Sequence, residues 1–348
     1  MADRVGIGVV GCGSVSHQYM ALARTLESEG LCATVAACDT DEGKRELARE
    51  TWGLPVFTTD YRELVVRADV DLVLVLTPMR EHARVARAAL LAGRHALVEK
   101  PMASSLAEAA GLVELARTVP GLLICAPHTV VSPTFRAIAE RLDAGDIGRV
   151  LTARARYGWA GPSWGKWFYQ PGGGVLFDLG VYNLTTLTGW LGPARRVMAM
   201  TGVAIPERTV DGERIRVEAE DNAQVLLDLG DSVFASITTG FTMQSARGPA
   251  IELYGSRGVL QMLGDDWAPR GYEMWRGEQS GWETVAETDP GWPWTAGLRH
   301  ALKCIRAGEP PRITPEHAYH VLEIMLRAQE SGRDGRAHDL TSRFELPR

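Results

Sequence analysis

From residue 3 to about residue 126, short apolar runs alternate with stretches whose apolar positions recur every three or four residues. This is the pattern of consecutive strand–helix units that build a parallel sheet covered on both faces. The predicted strands are Val5 to Val10, Ala33 to Cys38, Leu72 to Leu76, Ala96 to Val98 and Leu122 to Cys125. Helical periodicity spans about Val15 to Ser28, Asp41 to Thr51, Glu81 to Ala92 and Ser105 to Thr118. After Pro127 the rhythm changes: a helix over about Pro133 to Ala144 leads to a strand near Val150, then to a glycine-rich turn and another helix. From Arg195 onward apolar and polar positions alternate in long segments, at about Arg195 to Ile205, Ile215 to Asp228, Val233 to Thr242, Ala250 to Tyr254 and Val259 to Met262. Turns such as Leu229-Gly230-Asp231 join them directly, which predicts an open, largely antiparallel sheet. Helices over about Thr295 to Ala307 and Pro315 to Ser331 close the chain. The fold class is α/β: a doubly wound parallel sheet in residues 1–126, then an α+β domain in residues 127–348 carrying the antiparallel sheet.

Composition narrows the field. The chain has 348 residues, 45% hydrophobic and 23% charged, enough apolar surface to offset the entropy of ordering, so it is globular rather than disordered. No apolar run approaches the roughly 18 residues that span a bilayer. The N-terminal apolar run enters a glycine turn instead of a cleavage site, so a cytoplasmic protein is expected. Five cysteines without CxxC spacing read as reduced, buried thiols. A net charge of −6 with no basic block offers nucleic acid and anionic membranes little to hold.

The first candidate chemistry lies at the first strand–helix turn. Gly11-Cys12-Gly13-Ser14-Val15-Ser16 follows Val5 to Val10 and opens the first helix, the setting of a Rossmann dinucleotide fingerprint. Gly11 permits the tight turn, Gly13 lets the backbone approach a pyrophosphate, and Ser16 takes the small position where helix meets strand. The helix N-terminus then offers free N–H groups to phosphate. Asp39 ends the second strand, where a carboxylate accepts hydrogen bonds from adenosine ribose hydroxyls and repels a 2′-phosphate. NAD is therefore expected in preference to NADP, although Lys44 and Arg45 lie one turn further on. Thr77 and Pro78 end another buried strand at the sheet edge where such folds bind ligand, with His82 a few residues on.

Glu99-Lys100-Pro101 after a strand, Thr77-Pro78 with His82 before it, and Gly172-Gly173-Gly174-Val175-Leu176-Phe177-Asp178-Leu179-Gly180-Val181-Tyr182 after it together resemble the Gfo/Idh/MocA family, named for glucose–fructose oxidoreductase, inositol dehydrogenase and rhizopine catabolism. The resemblance covers nearly the whole chain. It implies an NAD(P)-dependent oxidoreductase acting on CH–OH groups of sugars, inositols or related polyols, and a homodimer or homotetramer. It also implies substrate contacts near His128.

Physical chemistry points the same way for the central residues. A lysine at the carboxyl end of a strand, as Lys100 is, can hydrogen-bond a reacting hydroxyl and stabilise developing alkoxide charge; Glu99 is placed to orient it or to touch the nicotinamide ribose. Asp178 and Tyr182 share a helical face by their spacing of four, with Asn183 beside them. Family members commonly carry His where this chain has Tyr182, while members resembling dihydrodiol dehydrogenase carry Tyr. A phenol with an ordinary pKa of about 10 needs a cationic neighbour before it accepts a proton near neutrality. The expected catalytic set is Lys100, Asp178 and Tyr182.

Ten tryptophans are dense for this length, and Trp159, Trp164 and Trp167 cluster just before the glycine turn. Their flat faces suit a sugar or cyclitol ring, an aryl group, or an interface. The histidines do not assemble into a metal site. Two further readings stay open: a dehydrogenase or reductase of an aryl diol or aryl glycoside, and a non-catalytic dinucleotide-binding sensor.

Overall fold

The computed structural model describes residues 4–277 and 281–346; residues 1–3 and 347–348, the outer ends of the two expected domains, lie outside the described residues, as do 278–280. The chain divides into two compact units, residues 1–128 with 294–319, and residues 129–293 with 320–348.

The first unit is built on six strands: β1 (Val5–Val10), β2 (Cys32–Cys38), β3 (Val56–Thr58), β4 (Leu72–Val75), β5 (His95–Val98) and β6 (Leu123–Cys125). Their order is β3-β2-β1-β4-β5-β6, with every pair parallel. β1 and β4 are buried at every position, as expected of strands covered on both faces. The helices are α1 (Ser14–Ser28), the short α2 (Lys44–Glu46) and α3 (Tyr61–Val65), α4 (Met79–Leu91) and α5 (Leu106–Thr118). α5 starts at a capping box: Ser105 accepts from the Glu108 N–H, and the Glu108 carboxylate accepts from Ser105 and from the Ser104 N–H.

Two features differ from the pattern read in the sequence. The expected helix over Asp41 to Thr51 is only α2 followed by a π-helical turn at Leu47–Thr51, because the Asp41 carboxylate turns back to accept from the Gly43 N–H at 2.9 Å and holds its own residue outside the helix. The partition is also not linear. Residues 127–348 were expected to form one domain, yet α8 (Gly297–Ala307), described with the C-terminal elements below, belongs to the first unit. Its Leu298, Ala301 and Leu302 are fully buried in one cluster with Val5, Ile7, Tyr19 and Leu26, so the apolar stripe of a late helix completes an early core.

In the second unit α6 (Pro133–Asp143) is capped by Ser132 with proline in its first turn. β7 (Val150–Gly158) follows, then a π-helical turn at Leu176–Gly180 that runs into α7 (Val181–Leu191). The remaining strands are β8 (Arg196–Gly202), β9 (Glu207–Val210), β10 (Glu213–Arg216), β11 (Asn222–Gly230), β12 (Val233–Gly240), β13 (Ile251–Gly255), β14 (Gly258–Asp265), β15 (Ala268–Arg276), β16 (Trp282–Ala286) and β17 (His338–Asp339). α8 and α9 (Pro315–Asp334) lie between β16 and β17 in sequence. Nine strands form one sheet in the order β16-β15-β14-β13-β7-β12-β11-β8-β17, and β9 and β10 form a separate hairpin. Only β7 with β12 is parallel among the described pairs of the large sheet, so the sheet is mostly antiparallel and mixed.

The single alternating segment expected over Ile215 to Asp228 is two strands. Between them Asp221 turns fully inward, and its carboxylate accepts from the backbone N–H of Ala204 at 2.6 Å and Ile205 at 3.1 Å and pairs with Arg208 at 3.2 Å. One face of the large sheet is open and sets four large apolar side chains among polar ones such as Gln224 and Thr238: Met198 pairs with Leu226 in register, and Met198, Met200, Leu226 and Phe234 are exposed by 44%, 78%, 55% and 53%. Among the described residues no helix is long and apolar enough to cross a membrane.

Candidate active site

In the first unit the turn after β1 has the shape a dinucleotide requires. The Gly11 N–H donates to the Cys38 carbonyl at 2.8 Å, and Gly11 sits at φ +100°, where a Cβ would meet the Leu76 carbonyl at 2.6 Å; only glycine fits. Gly13 is different. A Cβ there would meet nothing within 4 Å, so the fold itself does not require glycine and the bare backbone is left open to a ligand. Gly13 precedes α1 without side-chain capping, so no cap side chain takes up the first-turn N–H groups, Ser14 and Val15 among them. Val15 also packs against the core. Ser16 is buried and bonded through its hydroxyl to the Gly13 carbonyl at 2.5 Å, which ties turn to helix.

Asp39 follows β2. One carboxylate oxygen accepts from the Cys12 N–H at 2.7 Å and the other from the Asp41 N–H at 2.9 Å, so the group is held against the glycine turn with acceptor capacity remaining. Thr77, after β4, has a buried hydroxyl with no hydrogen-bond partner. An open glycine, an uncapped helix start, a fixed carboxylate and an orphaned hydroxyl at the strand ends fit a dinucleotide. Pro78 precedes α4 as its N-terminal cap residue.

Three predicted ligand contacts of this unit are engaged with the protein itself. His82 is 1% exposed, with Nδ1 at 2.7 Å from the Pro101 carbonyl oxygen and Nε2 at 2.8 Å from the Thr77 carbonyl oxygen. Burial pulls its proton affinity below that of a free imidazole, while the two carbonyls and Glu99 push it up. Glu99, also buried, accepts from the Tyr19 hydroxyl at 2.8 Å and from the Lys100 N–H at 3.1 Å. His128 is 1% exposed and lies 3.3 Å from the same Tyr19 hydroxyl through Nε2; burial, aided by His300, lowers it to about 3. Lys100 remains half-buried at the head of this network, and its bond to Pro101 is cis.

In the second unit the π-helical turn ends with the Val181 N–H on the Leu176 carbonyl. Such turns insert a residue into a helix and recur where side chains must be re-aimed. From Gly173 to Trp190 every residue is buried except Asp178 and Tyr182. Their spacing of four, read from the sequence as one shared face, thus corresponds to the two openings of an otherwise enclosed segment. The Tyr182 ring meets Tyr157 edge-on at 5.9 Å between centroids, and Tyr157 lies 6.3 Å from Trp267.

Asn183 points the other way. It is fully buried, and its amide donates to Asp266 at 2.9 Å. Thr186 lies 3.1 Å from the same carboxyl oxygen and 2.9 Å from the Thr129 hydroxyl. Burial raises Asp266 to about 7. Its second oxygen, the Asn183 carbonyl oxygen and the Trp267 Nε1 have no hydrogen-bond partner. Burial also pushes the Tyr157 phenol well up, with Tyr182 and the carboxylates Asp265, Asp178 and Asp266 adding to the effect.

Tyr157, Asp266 and Trp267 were not singled out in the sequence; β7 and the turn after β14 bring them together, and the one linear signal is the pair Asp265-Asp266 ahead of a tryptophan. The predicted tryptophans form a separate cluster. Trp159 packs 5.6 Å from Trp164 and 6.5 Å from Phe241, while Trp167 stacks on Phe168 at 3.7 Å. Trp164 and Trp167 are about half exposed.

Comparison with known proteins adds the following. A family model described as oxidoreductase family, NAD-binding Rossmann fold, matches residues 5–125, and a GFO/IDH/MocA C-terminal domain model matches residues 135–261. The chain is 33% identical over 261 residues to dTDP-3,4-didehydro-2,6-dideoxy-alpha-D-glucose 3-reductase of Streptomyces violaceoruber, covering 74% of this chain and 72% of that one. It is 28% identical over 335 residues to trans-1,2-dihydrobenzene-1,2-diol dehydrogenase of Macaca fascicularis, covering 92% and 96%. A solved structure of levoglucosan dehydrogenase with NADH and levoglucosan has the same fold, with a TM-score of 0.86, 19% identity and coverage of 97% and 100%.

Proposed function

The chain belongs to the GFO/IDH/MocA oxidoreductases with an NAD-binding Rossmann domain, and from that premise we propose that it moves hydride between NAD and a ring carbon bearing a secondary hydroxyl or ketone, in a sugar, inositol or related cyclic polyol. The observation that carries this reading is the pair Asp178 and Tyr182, the two openings in an otherwise buried helical segment. When bound, the nicotinamide accepts or returns the hydride.

The chain's own residues hold and steer the proton. Lys100 donates hydrogen bonds to the substrate oxygen and stabilises negative charge developing on it. Tyr182 exchanges the hydroxyl proton at its phenol oxygen, and Asp178 orients the substrate by accepting a hydrogen bond from a neighbouring hydroxyl. Asp39 accepts from the adenosine ribose hydroxyls and disfavours a 2′-phosphate, so NAD is used before NADP.

A second substrate class, a dihydroaryl or aryl diol, is favoured by the aromatic surroundings of Tyr182: Tyr157 and Trp267 supply flat apolar faces beside the phenol. The relative from Macaca acts on a diol of this kind by its name. We also propose that the open face around Met198, Met200, Leu226 and Phe234 is covered by another copy of the chain, since large exposed apolar side chains gathered among polar ones mark an association surface. Light scattering that shows only monomer at micromolar concentration would refute that assembly.

The deciding experiment is NADH formation with inositols, pyranoses, aryl glycosides and dihydroaryl diols, each with NAD and NADP. Turnover with NAD that is lost in Lys100→Ala and reduced in Tyr182→Phe supports the reading and names the class. Turnover unaffected by both substitutions rejects the assignment of the proton-handling residues.

A further inference from the structure

His82 bridges two loops of the first unit. Its ring nitrogens lie 2.7 Å from the Pro101 oxygen and 2.8 Å from the Thr77 oxygen. Both partners are backbone carbonyls, which only accept. A neutral imidazole has one N–H and one lone pair, so in that form one nitrogen would set a lone pair against a carbonyl oxygen at hydrogen-bond distance. Only the doubly protonated ring donates to both. Burial opposes that charge, and the charged groups facing the ring are Glu99, which favours it, and Lys100, which does not. Glu99 is buried on the same strand end and supplies the counter-charge.

We propose that His82 is a positioning residue for Lys100: carried as an imidazolium, it clamps the loop after β4 to the Lys100-Pro101 loop through two donated hydrogen bonds. This rests on the reading of Lys100 as the group that meets substrate. The consequence is geometric. Thr77, which bears the orphaned hydroxyl, and Lys100 stand at the ends of adjacent parallel strands, and the clamp fixes the separation of the two loops.

The test uses the full chain labelled with 15N-histidine. Eight histidines are present, and the His82 signals are those missing from His82→Gln, with His82→Asn as the second variant if the first does not fold. At neutral pH both His82 ring nitrogens are expected to be protonated; one protonated and one bare nitrogen overturns the proposal. The positioning role is read in the Gln variant by mass-spectrometric acetylation rates. Lys100 is expected to change by about threefold or more against Lys44, Lys166 and Lys303, with NADH affinity held within about twofold, and an unchanged Lys100 rate overturns it. Where substrate turnover is available, kcat falls on the order of tenfold or more, the cost of ångström-scale misplacement. Absence of turnover in the unaltered chain counts against the proposed function, while the nitrogen spectrum and the acetylation rate still decide the role of His82.

Discussion

Tyr19 and Glu99, eighty residues apart in sequence, share a buried hydrogen bond of 2.8 Å. The hydroxyl comes from the first helix, which opens at the glycine turn, and the carboxylate from the residue that precedes Lys100. The helix that opens at the glycine turn is thereby tied to the segment that carries Lys100 by a buried side-chain hydrogen bond. Tyr19 is fully buried and its ring also meets Trp294 edge-on at 5.6 Å.

Replacing Tyr19 by Phe keeps the ring and removes the donor from a buried carboxylate. The expected loss of stability is about 1–3 kcal/mol, read from urea unfolding. A loss within error of zero would show that Glu99 does not depend on this hydroxyl.

The two glycines of the turn are expected to separate stability from ligand affinity. Gly11→Ala places a Cβ against the Leu76 carbonyl at a positive φ and lowers the melting temperature, with a cost of about 1 kcal/mol or more. Gly13→Ala meets no protein atom, leaves melting unchanged and weakens NADH binding, measured by fluorescence titration. Equal effects of the two substitutions on melting would contradict the reading of Gly13.

Asp266 gives stability a pH dependence of known sign. Its carboxyl titrates near 7 in the folded chain because it is buried, against about 4 when unfolded. Between those values the native state holds a proton that the unfolded chain has released. The contribution is therefore complete below about pH 4 and is lost as pH rises towards 7, by at most about 1.4 kcal/mol for each pH unit. Asp266→Asn is expected to remove this slope, so the difference between the two stability–pH curves isolates it. Parallel curves would mean that Asp266 titrates in the folded chain as it does in the unfolded one.

His128 acts in the opposite direction. Its ring titrates at about 3 when folded and at about 6.5 when unfolded, so the unfolded chain takes up a proton that the native state refuses. Stability from this source is present above pH 6.5 and is lost as pH falls towards 3. Chemical denaturation of His128→Gln is expected to show a shallower acid limb than the unaltered chain, and an identical limb would refute it.

The parallel half of the fold was legible because strands buried on both faces, such as Val5–Val10 and Leu72–Val75, appear as unbroken apolar runs. Val56–Thr58 escaped notice as a three-residue edge strand, and Ala268–Arg276 as a strand containing proline and glycine. The candidate site was legible where placement depends on local spacing, as for the partial exposure that Asp178 shares with Tyr182 and for the backbone of the glycine turn. It was not legible where burial decides the partner. Nothing local distinguishes an Asn183 or a His82 that faces a ligand from one bonded inside the protein, and Tyr157, Asp266 and Trp267 meet only through the pairing of distant strands.

The closure of the first unit by α8 has a bearing on synthesis. As the chain leaves the ribosome, its first 128 residues emerge with the six strands of their sheet but without Leu298, Ala301 and Leu302, which share the core with Val5, Ile7 and Tyr19. Residues 129–293 must be made before that core can close. The dinucleotide-binding unit thus waits, with an apolar surface unsealed, until α8 has been translated.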